Sequence, residues 1–307
     1  MIKVGYLISY DYELLFNSIP TVYKEADEIF LAIDKDRRTW AGNNFSLPNT
    51  FFERIKELDT QKKITFFIDN FYIPSLAPME NEVRERNMLL KKMGKGWLFQ
   101  LDSDEYLYDF KSISQKLRTK NYLIKFNRLL PVTLSGYWVI LFKKNEEGFF
   151  QISNKTKFNF ITNYPKYTGA RKNKNFVNIN IENLAFHQSY AREEDEIYQK
   201  IKNWGHKDDF DTDKFFTFWK TINIENYKSI KNFHPEIPKL WSQLEFVKAK
   251  NVKELISTSK VNEQLSFDHL NVINIFSGNC KIFFKKKTKI VKKIKRKLYI
   301  IYKQPLK

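Results

Sequence analysis

A single cysteine, Cys280, is all the thiol chemistry this sequence contains. One thiol excludes an internal disulfide framework and a zinc ribbon, and it fits a reducing, cytoplasmic setting. No run of 18 apolar residues occurs, which excludes the usual signature of a spanning helix. The N-terminal run MIKVGYLISYDYE meets charge too early for a secretory signal peptide. Acidic residues are outnumbered 35 to 53 by Lys and Arg. Twelve of those cations fall in 281–307, which has no Asp or Glu, so most of the +18 net charge sits at one end. What the chain does have is 42% hydrophobic and 16% aromatic residues over 307 positions. That is enough for an ordinary core and too much for wholesale disorder.

The apolar runs KVGYLIS (3–9), EIFLAI (28–33), KITFFI (63–68) and WLFQL (97–101) read as strands buried on both faces. Helical spacing lies between them: 12–26, with a helix start at or after Pro20, then 51–58, and 81–93 stopping at Gly94. This alternation predicts an α/β fold with a mostly parallel, Rossmann-like sheet flanked by helices. Ligands of such sheets bind at the carboxyl ends of the strands, where Asp34, Asp69 and Asp102 would converge. After Asp109 the pattern changes: 121–127, 136–143 and 148–153 read as antiparallel strands with a turn at 145–148, and 192–204 as a charged helix. Residues 212–260 read as largely helical, broken near Pro235 and Pro238. The expected organisation is a catalytic domain over 1–211, a helical C-terminal extension over 212–280 and a basic tail over 281–307.

Asp102-Ser103-Asp104 carries the sharpest chemistry. On an extended strand the two carboxylates share one side, where they repel unless a cation stands between them. Hard oxygen donors of this kind suit Mg²⁺ or Mn²⁺ with open positions for phosphate oxygens. The alternative is a solvated acidic turn. The surrounding run VRERNMLLKKMGKGWLFQLDSDEYL (83–107) resembles the heart of the GT-A glycosyltransferases, especially glycosyltransferase family 2 and its bacterial relatives. Arg86-Asn87, Gly94 and Gly96, WLFQL and the Asp-x-Asp occupy the family's positions. Ser9-Tyr10-Asp11 ends the first strand where the family has Pro-x-Tyr-Asn, and Asp34 stands where its acidic cluster holds the nucleoside. The first-strand proline and the Gly-Ser-Thr after Asp34 are absent. Downstream, Phe186-His187-Gln188-Ser189-Tyr190-Ala191-Arg192, a helix with Lys200, and Trp204-Gly205-His206 resemble the family's closing motif.

The resemblance, over 2–210, implies a metal-dependent transfer of a sugar from a nucleotide sugar, a UDP-sugar first, to an acceptor hydroxyl with inversion. It implies Asp104 and His187 as Mn²⁺ or Mg²⁺ ligands; His187 otherwise reads as a hydrogen-bonded core histidine. Asp34, Asp102, Tyr10, Asp11 and Arg86 fall on the nucleotide side, with Tyr10 stacking on the base or packing in the core. Arg192, Lys200 and His206 are candidates for the diphosphate, Lys200 being equally readable as surface charge. Glu105 and Glu182 are the candidate bases. In 281–303, Ile290, Val291, Ile294, Leu298 and Ile301 make an apolar stripe on a cationic helix. That pattern suits the anionic inner face of a cell membrane more than nucleic acid, as would an enzyme of bacterial surface-glycan synthesis with a glycan or glycolipid acceptor. The competing readings are a metal-dependent nuclease or other phosphoryl-transfer enzyme, and a non-catalytic binding protein on a transferase-like fold.

Overall fold

The computed structural model describes residues 1–203, 210–259 and 265–302. Four parallel strands form its first half: β1 (Ile2–Ile8), β2 (Glu28–Asp34), β3 (Ile64–Asp69) and β4 (Trp97–Asp102), in the order β3-β2-β1-β4. β1, β2 and β4 are buried on both faces almost throughout, as their unbroken apolar runs require. The crossovers are α1 (Leu15–Val22), α2 (Asn49–Leu58) and α3 (Pro78–Met93). α3 starts with Pro at its first position, where the missing N–H has no helical partner to lose, and the Glu80 carboxylate accepts the Ala77 N–H. It ends at Gly94, whose φ of +71° suits glycine. α1 differs from expectation: it starts before Pro20 and carries that proline inside. The complete burial of Leu15 and Ile19 holds the short helix against the sheet despite the one missing backbone bond.

The second half continues the same sheet with mixed directions. β5 (Glu105–Leu107), α4 (Phe110–Arg118) and α5 (Tyr122–Lys125) lead into the long β6 (Val132–Lys144), then β7 (Gly148–Ile152), β8 (Thr156–Thr162) and β9 (Val177–His187). β8 pairs antiparallel with both β4 and β6, while β9 lies parallel to β6. α6 (Glu194–Asn203), α7 (Thr212–Thr221), β10 (Leu244–Lys248), α8 (Val252–Thr258) and α9 (Val272–Tyr302) complete the described chain. Two readings are corrected here. Residues 121–127 hold the helix α5, not a strand, and 212–260 contains β10, which pairs antiparallel with β7 and adds an edge to the sheet. Phe215 and Trp219, beyond the expected boundary at 211, share a core cluster with Ile140, Phe142 and Leu244.

The architecture is therefore mixed α/β with a parallel, Rossmann-like sheet flanked by helices at its heart. Two features of it position the site. The first is the close approach of α3 to β1: a β-carbon on Gly5 would lie 2.8 Å from Leu89 Cδ2 and 2.9 Å from Met93 Sδ. The second is the antiparallel pairing of β5 with β9, which sets Glu105 opposite His187. Replacing Gly5 by Val overpacks the α3–β1 contact and is expected to lower stability by about 1–3 kcal/mol, read from the urea midpoint of unfolding.

Candidate active site

β1, β2 and β4 end on one side of the sheet, and a cavity of about 570 Å³ opens there. Its floor is the strand-end segment from Leu7 to Asp11, with Asp34 and Asp102-Ser103-Asp104. One wall is aromatic: Trp138 and Phe158 stack with ring centroids 4.7 Å apart, and His187 lies against Trp138 at 4.8 Å. Lys200 and Asn203 of α6 close another side, and His234, Glu236 and Ile237 line the rim.

Five acidic positions, Asp11, Asp34, Asp102, Asp104 and Glu105, sit in or behind this floor, and each is held differently. Asp34 spends both oxygens on backbone amides: Oδ1 accepts from Asp36 and Arg38 at 3.0 and 3.1 Å, Oδ2 from Phe71 and Tyr72 at 2.9 and 3.0 Å. It ties the loop after β2 to the loop after β3. Asp69, by contrast, is exposed and lies off the cavity. Asp102 is gripped by Arg86 Nη2 at 2.9 and 3.2 Å and approached by Arg171 Nη2 at 3.4 Å, yet its side chain keeps 27% exposure toward the cavity. Burial pushes its carboxyl up, and Arg86 and Arg171 outweigh that and hold it below the usual range.

Asp104 is buried, with three basic groups at Oδ2: Arg192 Nη2 at 2.5 Å, Lys200 Nζ at 2.8 Å and His187 Nε2 at 3.4 Å. Desolvation opposes its ionisation, but Lys200, then His187 and Arg192, hold it well below the ordinary carboxylate value. Arg192 also takes Asp11 at 3.1 Å. Tyr10 lines the cavity half-buried, and burial, then Asp11, raises its hydroxyl pKa.

The two candidate bases lie elsewhere. Glu105 is fully buried behind the floor, where it accepts from the Asp102 amide at 3.1 Å and from Arg171 Nη1 at 2.6 Å. Burial raises its pKa, and Arg171 pulls in the other direction. Glu182 sits in an irregularity of β9 with φ of +56°, takes a hydrogen bond from Asn180 and does not line the cavity. Arg86 is likewise behind the cavity, paired with Glu82 at 2.8 Å as well as with Asp102, so it positions Asp102 instead of facing a ligand. Its neighbour Asn87 staples α3 to Tyr167: its side-chain amide donates to the Tyr167 carbonyl and accepts the Tyr167 N–H. His206 lies outside the described residues.

Three functional candidates were not visible in sequence. Arg171 bridges Asp102 and Glu105 with its guanidinium 5.2 Å from the Trp138 ring; it belongs to a Lys/Asn-rich loop with no motif. Glu85 lines the cavity on the α3 side, takes the Trp40 indole N–H at 2.6 Å, and is pushed up to about 8 by burial. Glu236 sits on the rim in a loop between two prolines.

Asp104 and His187 Nε2 are donors of the kind a hard divalent cation takes, an ionised carboxylate beside an imidazole nitrogen facing a cavity, and the oxygen near His187 is shared with Arg192 and Lys200. Among the described residues no group of three or more His, Cys, Asp and Glu stands together to hold a metal. A cation here would thus draw on these two side chains and on substrate oxygens, as Mg²⁺ sites commonly do.

No protein-family model and no curated protein matches the chain. Among solved structures, it is similar to mannose-6-phosphate isomerase from Helicobacter pylori, at 16% identity over 48% of this chain and 54% of that one, with a TM-score of 0.30. TarS from S. aureus (1-349) is 14% identical over 47% and 36%, with a TM-score of 0.26. Mannose-1-phosphate geranyltransferase from Thermus thermophilus is 9% identical over 85% and 80%, at 0.27. The chain thus spans about half of the first of these and about a third of the second. At such TM-scores the likeness carries no argument about activity.

Glu85 generates a pH prediction. Its native carboxyl, near 8, keeps a proton that the unfolded chain, near 4.5, gives up. Between those values the native state binds more protons, so its contribution to stability falls as pH rises. In Glu85→Gln that decline is expected to be absent, seen as a flatter dependence of the urea midpoint from about pH 4.5 to about pH 8.

Proposed function

We propose that the chain is a glycosyltransferase that moves a sugar from a nucleotide sugar, a UDP-sugar first, to an acceptor hydroxyl with inversion. The observation that carries the proposal is the convergence of Asp102, Asp104, His187, Arg192 and Lys200 at the carboxyl ends of β1 and β4. Lys200, a strong cation that lines the cavity beside Asp104, suits a diphosphate, whose oxygens take charge-assisted bonds. Lys200 would meet that group and offset the negative charge that develops on it as the sugar departs, while Arg192, buried off the cavity, would hold Asp104 and Asp11 in place. A Mn²⁺ or Mg²⁺ ion held by Asp104 and His187 would add Lewis-acid neutralisation of the same charge. Asp102, partly exposed beside Tyr10 and Asp11, serves the ribose. Asp34 serves the nucleoside indirectly, by fixing the loop 34–38 that borders the cavity.

Glu236 is assigned as the base for the acceptor hydroxyl. Every other carboxylate that lines the cavity is engaged: Asp11, Asp102 and Asp104 by cations, Glu82 by Arg86, Glu85 by Trp40, Asp34 by four amides. Glu236 alone among them is exposed on the rim and has no side-chain partner among the described residues. It would take the proton as the acceptor oxygen attacks the anomeric carbon and the bond to the diphosphate oxygen breaks. The basic tail, 281–303, would place the enzyme at the inner face of a bacterial membrane, where lipopolysaccharide or capsule acceptors are assembled.

Two measurements test this reading. A thermal-shift panel of nucleotide sugars with and without Mn²⁺ is expected to single out one donor. At about 100 times Kd it would stabilise the native state by roughly 2.7 kcal/mol, and Asp104→Ala should lose the Mn²⁺-dependent part. No stabilisation by any donor would sink the proposal. For Glu236→Gln, kcat of transfer is expected to fall by about 10²–10⁴, with donor stabilisation intact and the acid limb of the pH profile gone. Unchanged kcat would remove Glu236 from the chemistry.

A further inference from the structure

One side of α9 is fixed to the sheet. Ile275 is fully buried, and a β-carbon on Gly278 would lie 2.8 Å from Val177 Cγ2, so the helix touches the start of β9 directly. Asn279 completes the attachment: its Oδ1 accepts the Val177 N–H at 2.7 Å and its Nδ2 donates to the Pro131 carbonyl at 2.9 Å. Away from that seam, Ile273, Phe276, Phe283 and Phe284 stand in solvent, with Ile273 at 79% and Phe284 at 64% exposure. They recur at helical spacing, and in the sequence the same spacing continues through Ile290, Val291, Ile294, Leu298 and Ile301. The apolar stripe therefore begins well before the basic block, on the part of α9 that is docked.

A second exposed group lies beside the attachment point. Leu129 precedes Pro131 by two residues, hence by no more than about 7 Å of backbone. It is 70% exposed, and Tyr122 and Phe126 on the preceding α5 and its turn are exposed as well. Cations accompany both groups: Lys125 Nζ lies 5.7 Å from the Phe126 ring and Lys287 Nζ 4.7 Å from the Phe283 ring. No Asp or Glu occurs in 110–145 or in 281–307.

We propose that α9 and the α5 turn (Tyr122–Leu130) together form one docking face for an anionic lipid bilayer. Large apolar side chains left in water and rimmed by cations mark an interaction surface. A bilayer interface matches both parts, taking the apolar side chains at the acyl boundary and the cations at the headgroups. Nucleic acid would match the charge but offers nothing to Ile273 or Leu129. No helix of the described residues is long and apolar enough to cross a membrane, so α9 lies along the surface. Because α9 packs on Val177 and bonds to Val177 and Pro131, the bilayer contact is built onto the sheet and is not confined to a tail.

Flotation of the full chain with vesicles tests this. Binding is expected to equimolar phosphatidylcholine–phosphatidylglycerol vesicles and not to phosphatidylcholine alone. Phe126→Ser with Leu129→Ser, which leaves α9 untouched, should lower partitioning roughly tenfold, as should Phe283→Ser with Phe284→Ser. All four positions are exposed, so the fold and the thermal stabilisation by a nucleotide sugar should stay unchanged; that second readout reports the donor site and is independent of this face. Full vesicle binding by the Phe126/Leu129 variant would overturn the composite face. Equal binding to zwitterionic vesicles would overturn its anionic character. Binding to an oligonucleotide in place of vesicles, undiminished in both serine variants, would replace the bilayer by nucleic acid.

Discussion

Asp102, Asp104 and Glu105 fall within four consecutive residues, and such a group cannot share a buried corner unless cations stand between its members. Arg86 and Arg171 serve Asp102, Arg171 serves Glu105, and Arg192 with Lys200 serves Asp104. Those cations come from α3, from the loop between β8 and β9, from the segment after β9, and from α6. Neutralising one turn therefore draws four distant parts of the chain to the end of β4. Removing Arg171, the one cation paired with Glu105 among the described residues, would leave a buried carboxylate uncompensated, which costs more than the pair contributes when intact. The cavity's shape follows from that requirement, because its floor and one wall are the same ion-paired residues.

β5 makes the arrangement stiff. Three residues long, it pairs with the end of β9 and sets Glu105 beside His187. The Gln188 amide donates to the Asp104 carbonyl at 2.9 Å, and Tyr106 hydroxyl donates to the Gln188 side chain at 2.6 Å. Asp104 is thus held by backbone on one side and by salt bridges on the other, so its carboxylate has one orientation to offer a ligand. Preorganised charge of this kind needs no rearrangement when a substrate arrives.

The parts legible in sequence are those with a side-chain signature. β1, β2 and β4 could be read because burial on both faces demands an unbroken apolar run, and Asp102 and Asp104 because carboxylates one residue apart at a strand end are conspicuous. The YLIKF of α5 failed the same test: a short apolar run has no period to separate strand from helix. β9 hid because asparagine is depleted in strands; Asn178 and Asn180 are held there by side-chain bonds to Asn159 of β8 and Tyr137 of β6, partners that only the fold supplies. Asp34 was located, but its partners were not, because they are backbone amides and any residues could supply them. Arg171 and Glu236 come from loops whose positions only the folded sheet defines.

How the carboxylates are used separates scaffold from chemistry. A carboxylate has about four acceptor positions, and what folding leaves unused is available to a ligand. Asp34 has given four to amides, and Glu105, apart from one buried oxygen without a partner, is closed off by Arg171. Asp102 and Asp104 keep their charge while facing the cavity, held there by cations of which Arg171 and Lys200 also line it. Glu236 stands exposed on the rim, with no side-chain partner among the described residues. Burial thus divides them: the two aspartates, sunk at the strand ends, keep their charge only because cations fold in beside them, and the exposed rim glutamate has no such need.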